Sequence, residues 1–402
     1  MGARATKPRR GSLEGRARAR GEASTATAAR AAASDGSDSD EGPPPPPWVK
    51  RDDATVETEV NDPEAWINDA LAGSAMGEEL IRRCGVIAKK WADAMPKSTW
   101  LRITKSGRLV KEMRESAPVI VRTMAYVDAM AVPENRDEKC TIVDLCSGFG
   151  YLAMFLSELL PKEKVEEIVM VDKMWAMFGT EPKSHHINWA HVYGEGEWRY
   201  EWPIALSTRK VDLKDRAQVK QMANHLFSRW NGPFIVLGIH LCGILSIKAV
   251  EIFNRHSNVK QLILKPCCLP DFSWTYKEEY FEVGSHKHRI PTKEVCSRGK
   301  WKKNKWIGPP RHTLKVKFEA WNDHLCRSID EEEGNVRSEV QEIKVQAKHF
   351  QNLFIFSERE VTRKCIAEEA TGTRFPTPSG TEAGRWCPTG TGYGTHVKNS
   401  RQ

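Results

Sequence analysis

Residues 141–150 run Thr-Ile-Val-Asp-Leu-Cys-Ser-Gly-Phe-Gly, a β-rich apolar run carrying Asp144 and then a turn with Gly148 and Gly150. A helical segment at 152–160 follows directly. Strand, glycine turn and helix in this order open a parallel sheet covered by helices on both faces. The alternation continues downstream. A second strand is expected at 168–172, a third ending at 209–213, a fourth at 234–239 and a fifth at 261–265, with helices at 217–230 and 245–255. Segments 336–346 and 352–357 read as a closing strand pair. Upstream, apolar residues three and four apart, such as Leu80, Ile81, Cys84, Ile87, Ala88 and Trp91, predict a helical cap within 48–135.

The chain has 402 residues, 40% hydrophobic and 28% charged, which suits a real core and excludes collagen-like, fully disordered and disulfide-scaffold classes. Its longest nearly apolar stretch, 234–245, is interrupted by His240 and falls short of the roughly 20 residues that cross a bilayer. No membrane span and no membrane partner are expected. Ten dilute cysteines and no apolar leader after Met1 point to a reducing, intracellular setting with free thiols.

Charge is unevenly spread. Residues 1–34 hold eight basic side chains against Glu14 and Glu22, 35–41 are acidic, and 43–47 are all proline. Segment 1–47 therefore reads as a disordered tail, as does the Gly/Thr/Pro-rich 362–402. The basic start suits an organelle transit peptide, a nuclear signal or an RNA-touching arm, so nucleus, cytoplasm and organelle all stay open. Residues 283–317 carry eleven basic side chains against Glu294, interleaved with Trp301 and Trp306. Cations beside flat rings suit a phosphate backbone with stackable bases, so RNA is the expected partner of residues 287–317. The oligomeric state is left open.

Functional groups of a parallel sheet gather at the carboxyl ends of its strands. Gly148, Gly150 and Ala153 fit the dinucleotide fingerprint, with Asp172 at a distance suited to a ribose. Asp144 separates the alternatives: a carboxylate before the glycine turn is awkward beside a pyrophosphate and favourable beside an ammonium group. Asp212, expected at the end of the third strand, could accept a hydrogen bond from an adenine amino group. Three acids at three successive strand ends fit S-adenosylmethionine better than NAD.

On these residues the chain resembles the class I S-adenosylmethionine-dependent methyltransferases over roughly 140–270, and through the closing strands. The resemblance implies an α/β, Rossmann-like, mostly parallel seven-stranded sheet with helices on both faces, occupying 136–361 with a basic insertion at 271–317. It implies that Asp144, Cys146, Gly148 and Gly150 face the methionine part of the cofactor, Asp172 the ribose and Asp212 the adenine. Cys146 stands where the family's motif has another glycine.

The fourth strand ends in His240-Leu241-Cys242-Gly243 and the fifth in Lys265-Pro266-Cys267-Cys268. The Asp/Asn-Pro-Pro-aromatic turn of exocyclic-amine methyltransferases is missing. The His-Leu-Cys-Gly and Cys-Cys pair resembles the methyltransferase-32 group, related to tRNA acceptor-stem 2′-O-methyltransferases; the zinc modules that precede the catalytic domain of those enzymes are not seen here. Transfer to a ribose hydroxyl needs in-line approach and removal of a proton, for which His240 and Lys265 are the candidate groups. The alternatives are cytosine-5 methylation, with Cys242 and Cys267 or Cys268 as nucleophile and general acid, and a non-catalytic RNA-binding protein that kept the fold.

Cys267, Cys268, His286, His288 and Cys296 do not have the spacing of a familiar zinc module, so inert packing is expected and no metal is assigned. The aromatic stretch 175–202 is read as a satellite core or a lid.

Overall fold

The computed structural model describes residues 60–359 except 178, 229–231, 272–277, 298–299, 303–304, 331–334 and 346–350. Both expected tails, 1–47 and 362–402, lie outside the described residues, as do Arg298 and Lys303 of the basic segment and the side chains of Trp301 and Trp306.

Four helices lead in: α1 (Pro63–Leu71), α2 (Glu78–Ala94), α3 (Lys97–Thr104) and α4 (Arg108–Ala129). Asp62 caps α1 by accepting the Ala65 N–H, and Pro63 starts it, where a missing N–H costs nothing. The sheet then follows as β1 (Cys140–Leu145), α5 (Tyr151–Leu159), β2 (Val165–Val171), a one-turn α6 (Ala190–Tyr193), β3 (Ala205–Arg209), α7 (Arg216–Leu226), β4 (Phe234–Cys242), α8 (Leu245–Arg255) and β5 (Val259–Cys268). Next come the small hairpins β6 (Tyr280–Val283) with β7 (His288–Pro291), and β8 (Lys300–Lys302) with β9 (Lys305–Ile307). Between the hairpins lies the one-turn α9 (Thr292–Val295). Helix α10 (Arg311–Arg327) leads to β10 (Val336–Glu342) and β11 (Leu353–Arg359).

Seven strands form one sheet in the order β10-β11-β5-β4-β1-β2-β3. Strands β1 to β5 pair in parallel, and β11 runs antiparallel to both β5 and β10. This is the Rossmann-like class I methyltransferase arrangement that the sequence predicts. Side chains alternate along each strand with period two. Ile142, Ile168, Ile235 and Ile263 join the core built with α2, α4 and α5, whereas Val143, Val169, Val236 and Leu262 join the one built with α7, α8 and α10. Each face is dry, so the central strands read as continuous apolar runs.

At the site, three strands differ in their bounds from the sequence reading. The third strand is Ala205–Arg209, ahead of 209–213. It is an edge strand with Ala205 and Arg209 exposed, and so shows little apolar alternation. Asp212 consequently lies three residues past the last ladder pair, Val171 with Arg209. The fourth and fifth strands run on to Cys242 and Cys268, so His240, Cys242, Cys267 and Cys268 lie within the strands rather than after them, as Lys265 does.

The aromatic stretch does not form a satellite: it joins the main core on the α2, α4 and α5 side of the sheet. Trp175 is fully buried, Trp202 meets Trp91 edge-on at 5.8 Å, and Trp198 Nε1 donates to the Ala94 carbonyl at 2.9 Å.

Candidate active site

The turn after β1 takes its shape from three residues in the left-handed region: Cys146 at φ 57°, Gly148 at φ 55° and Gly150 at φ 83°. A Cβ at Gly150 would collide with Met170 Sδ, whereas space above Gly148 is open. Cys146, a residue with a side chain, holds this left-handed conformation at the cost of backbone strain. Trp175 Nε1 donates to Ser147 Oγ at 3.2 Å, and His191 Nε2 bonds the Phe149 carbonyl at 2.8 Å, which makes that nitrogen the donor. Burial pushes His191 down to about 4, so its ring is neutral.

Carboxylates surround this turn. Asp144 is 3% exposed, and among the described residues no ion pair reaches it. Burial raises its pKa well above the ordinary range, and the negative charges of Glu112 and Asp172 push the same way. The Asp172 carboxylate accepts the Gly148 N–H at 3.2 Å and the Met174 N–H at 2.8 Å. It is raised by burial, against those two hydrogen bonds. Glu112 on α4 is half-buried, and desolvation pushes it up to about 8 although Arg108 opposes. These groups border a narrow, open cleft whose walls include Glu112, Ser116, Asp144, Cys146 and His240.

Asp212 stands apart from that wall. It is half-buried, its Oδ1 accepts the Lys214 N–H at 2.9 Å, and its own N–H donates to Gln218 Oε1 at 2.9 Å. Its charge is still close enough to raise Asp172.

At the ends of β4 and β5 the charges are balanced. Lys265 is 1% exposed and its Nζ lies 3.3 Å from Glu115 Oε2, which also stands 3.8 Å from His240 Nδ1. Burial would raise Glu115, but Lys265, His240 and Lys111 together hold its carboxyl below the usual value. His240 is lowered by burial, with Glu115 opposing, so a neutral imidazole faces the cleft. Lys265, whose alternative reading is a surface side chain, is thus a buried ion-pair partner.

Cys242 Sγ lies 3.0 Å from Cys267 Sγ, which lies 3.7 Å from Cys268 Sγ. Hydrogen bonds from Cys267 and Cys268 favour the Cys242 thiolate and lower it, and the same contacts raise Cys267. The other donors considered for zinc are elsewhere engaged. His286 pairs with Asp330 and His288 with His324, at 2.5 and 2.9 Å, and Cys296 is buried.

Sequence reasoning missed Glu112, Glu115 and Ser116, which α4 brings over the sheet. Their signal was present: Glu112, Glu115 and Ser116 precede the buried Val119 and Thr123 at helical spacing, which is polar where the core face is expected.

Residues 111–273, from within α4 to just past β5, match the model of a family described as a methyltransferase domain. No curated protein matches the chain. Among solved structures it is similar to the CurJ carbon methyltransferase, with 10% identity and a TM-score of 0.32 over 74% of this chain and 67% of that one. It is also similar to an O-methyltransferase from Bacillus cereus solved in complex with SAH, with 11% identity and a TM-score of 0.26 over 68% of this chain and 97% of that one.

Proposed function

We propose that this protein is an S-adenosylmethionine-dependent methyltransferase acting on RNA. The observation that carries the reading is Asp144, a buried carboxyl with no cation paired to it among the described residues, flanked by the carboxyl groups of Glu112 and Asp172 beside a glycine turn. Burying an isolated charge is costly, so such a group calls for a cationic ligand. S-adenosylmethionine is one, with an ammonium and a sulfonium, and when bound it supplies a methyl group to a nucleophile. Asp144, Cys146, Gly148 and Gly150 would hold its amino-acid end, Asp172 the ribose and Asp212 the adenine side.

His240 is the group suited to take a proton from an attacking hydroxyl: it is neutral, faces the cleft, and is backed by Glu115. Lys265 acts through Glu115 rather than on the substrate. This fits transfer to a ribose 2′-hydroxyl, and the methyltransferase-32 resemblance makes tRNA a specific candidate. Cytosine-5 chemistry needs a thiolate aimed at a base, whereas Cys242, Cys267 and Cys268 face one another.

The basic insertion supports RNA. It leaves at the carboxyl end of β5 and returns at Ser297, whose N–H bonds the Pro270 carbonyl at 3.0 Å. Lys300 begins β8 only three residues later, at most about 11 Å of extended chain from that point. Mass spectrometry of nucleosides from RNA incubated with the protein and labelled cofactor tests the reading. Label on ribose is expected; label on cytosine C5 replaces it with the thiolate mechanism. Glutamate at Lys300, Lys302, Lys303 and Lys305 should weaken RNA binding and flatten its salt dependence. Unchanged turnover would favour a protein or small-molecule substrate. Cofactor binding that is absent while RNA is retained would favour a non-catalytic RNA-binding protein.

A further inference from the structure

We infer that Cys242, Cys267 and Cys268 form a binding site for one soft divalent cation of the Zn²⁺ class. Consecutive residues of a strand normally point to opposite faces, so adjacent cysteines should not meet the same partner. Here the ladder is irregular. Leu241 pairs with Pro266 and Cys242 with Cys268, which leaves Cys267 as an extra residue in a bulge. The bulge turns both thiols of β5 toward the thiol of β4, and the three sulfurs lie within 4.8 Å of one another.

That triangle has the size of one face of a thiolate metal site. Zinc–sulfur bonds of about 2.3 Å at tetrahedral angles separate the sulfurs by about 3.8 Å. The Cys267 to Cys268 separation is 3.7 Å and the Cys242 to Cys267 separation 3.0 Å, so sub-ångström side-chain shifts suffice. A disulfide would use two of the sulfurs and leave the third; a metal uses all three. The backbone around the site is also fixed: Gln351 Nε2 donates to the Cys267 carbonyl at 2.5 Å, and the Gly243 N–H donates to the Cys268 carbonyl at 3.1 Å. Three thiols leave a fourth coordination position for water or another donor.

The inference is independent of the methyltransferase reading. Full-length protein, reduced and stripped of metal with chelator, is titrated with Zn²⁺ alone and, separately, with Co²⁺, whose thiolate charge-transfer band reports sulfur ligation. One equivalent per chain and an intense band are expected, both lost in Cys267→Ser and in Cys268→Ser and both kept in the control Cys84→Ser, which lies on α2. Circular dichroism of the metal-free variants, matched to metal-free wild type, separates lost ligation from lost folding. Wild-type protein that binds well under one equivalent, a band that survives both substitutions, or a Cys242–Cys267 disulfide as the only thiol change would overturn the assignment.

Discussion

Asp144 on the central strand β1 and Glu115 on α4 are both buried carboxylates, yet their surroundings set them apart. Glu115 has Lys265 at 3.3 Å and His240 at 3.8 Å, and is held below the ordinary carboxylate range. Asp144 has no ion-pair partner among the described residues, and burial together with Glu112 and Asp172 raises it. One acid is satisfied inside the protein; the other, on the reading proposed above, takes a cationic ligand. The contrast is what the proposed assignment of Asp144 to binding and Glu115 to structure rests on.

The largest effect should come from breaking the satisfied pair. Glu115→Ala leaves the Lys265 ammonium buried without its carboxylate, and Lys265→Ala removes the nearest of the cations that hold Glu115. Each is expected to cost about 3–5 kcal/mol in denaturant unfolding. A loss under 1 kcal/mol in both would show that the pair is not load-carrying.

Asp144→Asn should move stability and binding in opposite directions. Removing an unpartnered buried charge is expected to raise stability by on the order of 1 kcal/mol, while S-adenosylmethionine binding weakens by at least about tenfold. A variant that is both less stable and fully able to bind would assign Asp144 to structure.

Proton linkage sharpens the comparison. With its folded pKa raised, Asp144 penalises the fold above that pKa, and the penalty disappears as pH falls toward the ordinary value; the stability advantage of Asp144→Asn should therefore be greatest at alkaline pH. Glu115, with its pKa lowered, contributes stability above the ordinary value and loses it as pH falls through the folded one. Because Glu112 lies at about 8, a cation entering the cleft should expel protons, and its affinity should rise from pH 7 to pH 9. Calorimetry in two buffers of different ionisation enthalpy reads the number released; zero would contradict the linkage.

The smallest effect concerns the turn. Cys146→Gly relieves a left-handed residue at φ 57° and should be neutral or stabilising by about 1 kcal/mol, with cofactor binding kept.

The sheet was legible because dry parallel strands announce themselves as apolar runs, and Leu245–Arg255 matches its helix to the residue. Asp144 was legible because it interrupts such a run just before two glycines. The third strand was misplaced because an edge strand with exposed ends carries little pattern, which shifted Asp212 off the ladder. Glu112 and Glu115 were missed because α4 reads as a cap helix, and only packing brings its polar positions over β4 and β5. The meeting of three thiols depends on a bulge, and a one-residue ladder irregularity leaves no periodic trace in a sequence.

The most direct test is isothermal titration of the full-length chain and of Asp144→Asn with S-adenosylmethionine. Saturable binding of one molecule per chain, with proton release that the substitution diminishes along with affinity, is the predicted result. No binding by the wild-type chain, or equal affinity in both proteins, would contradict the claim that an unpartnered buried acid holds a cationic methyl donor.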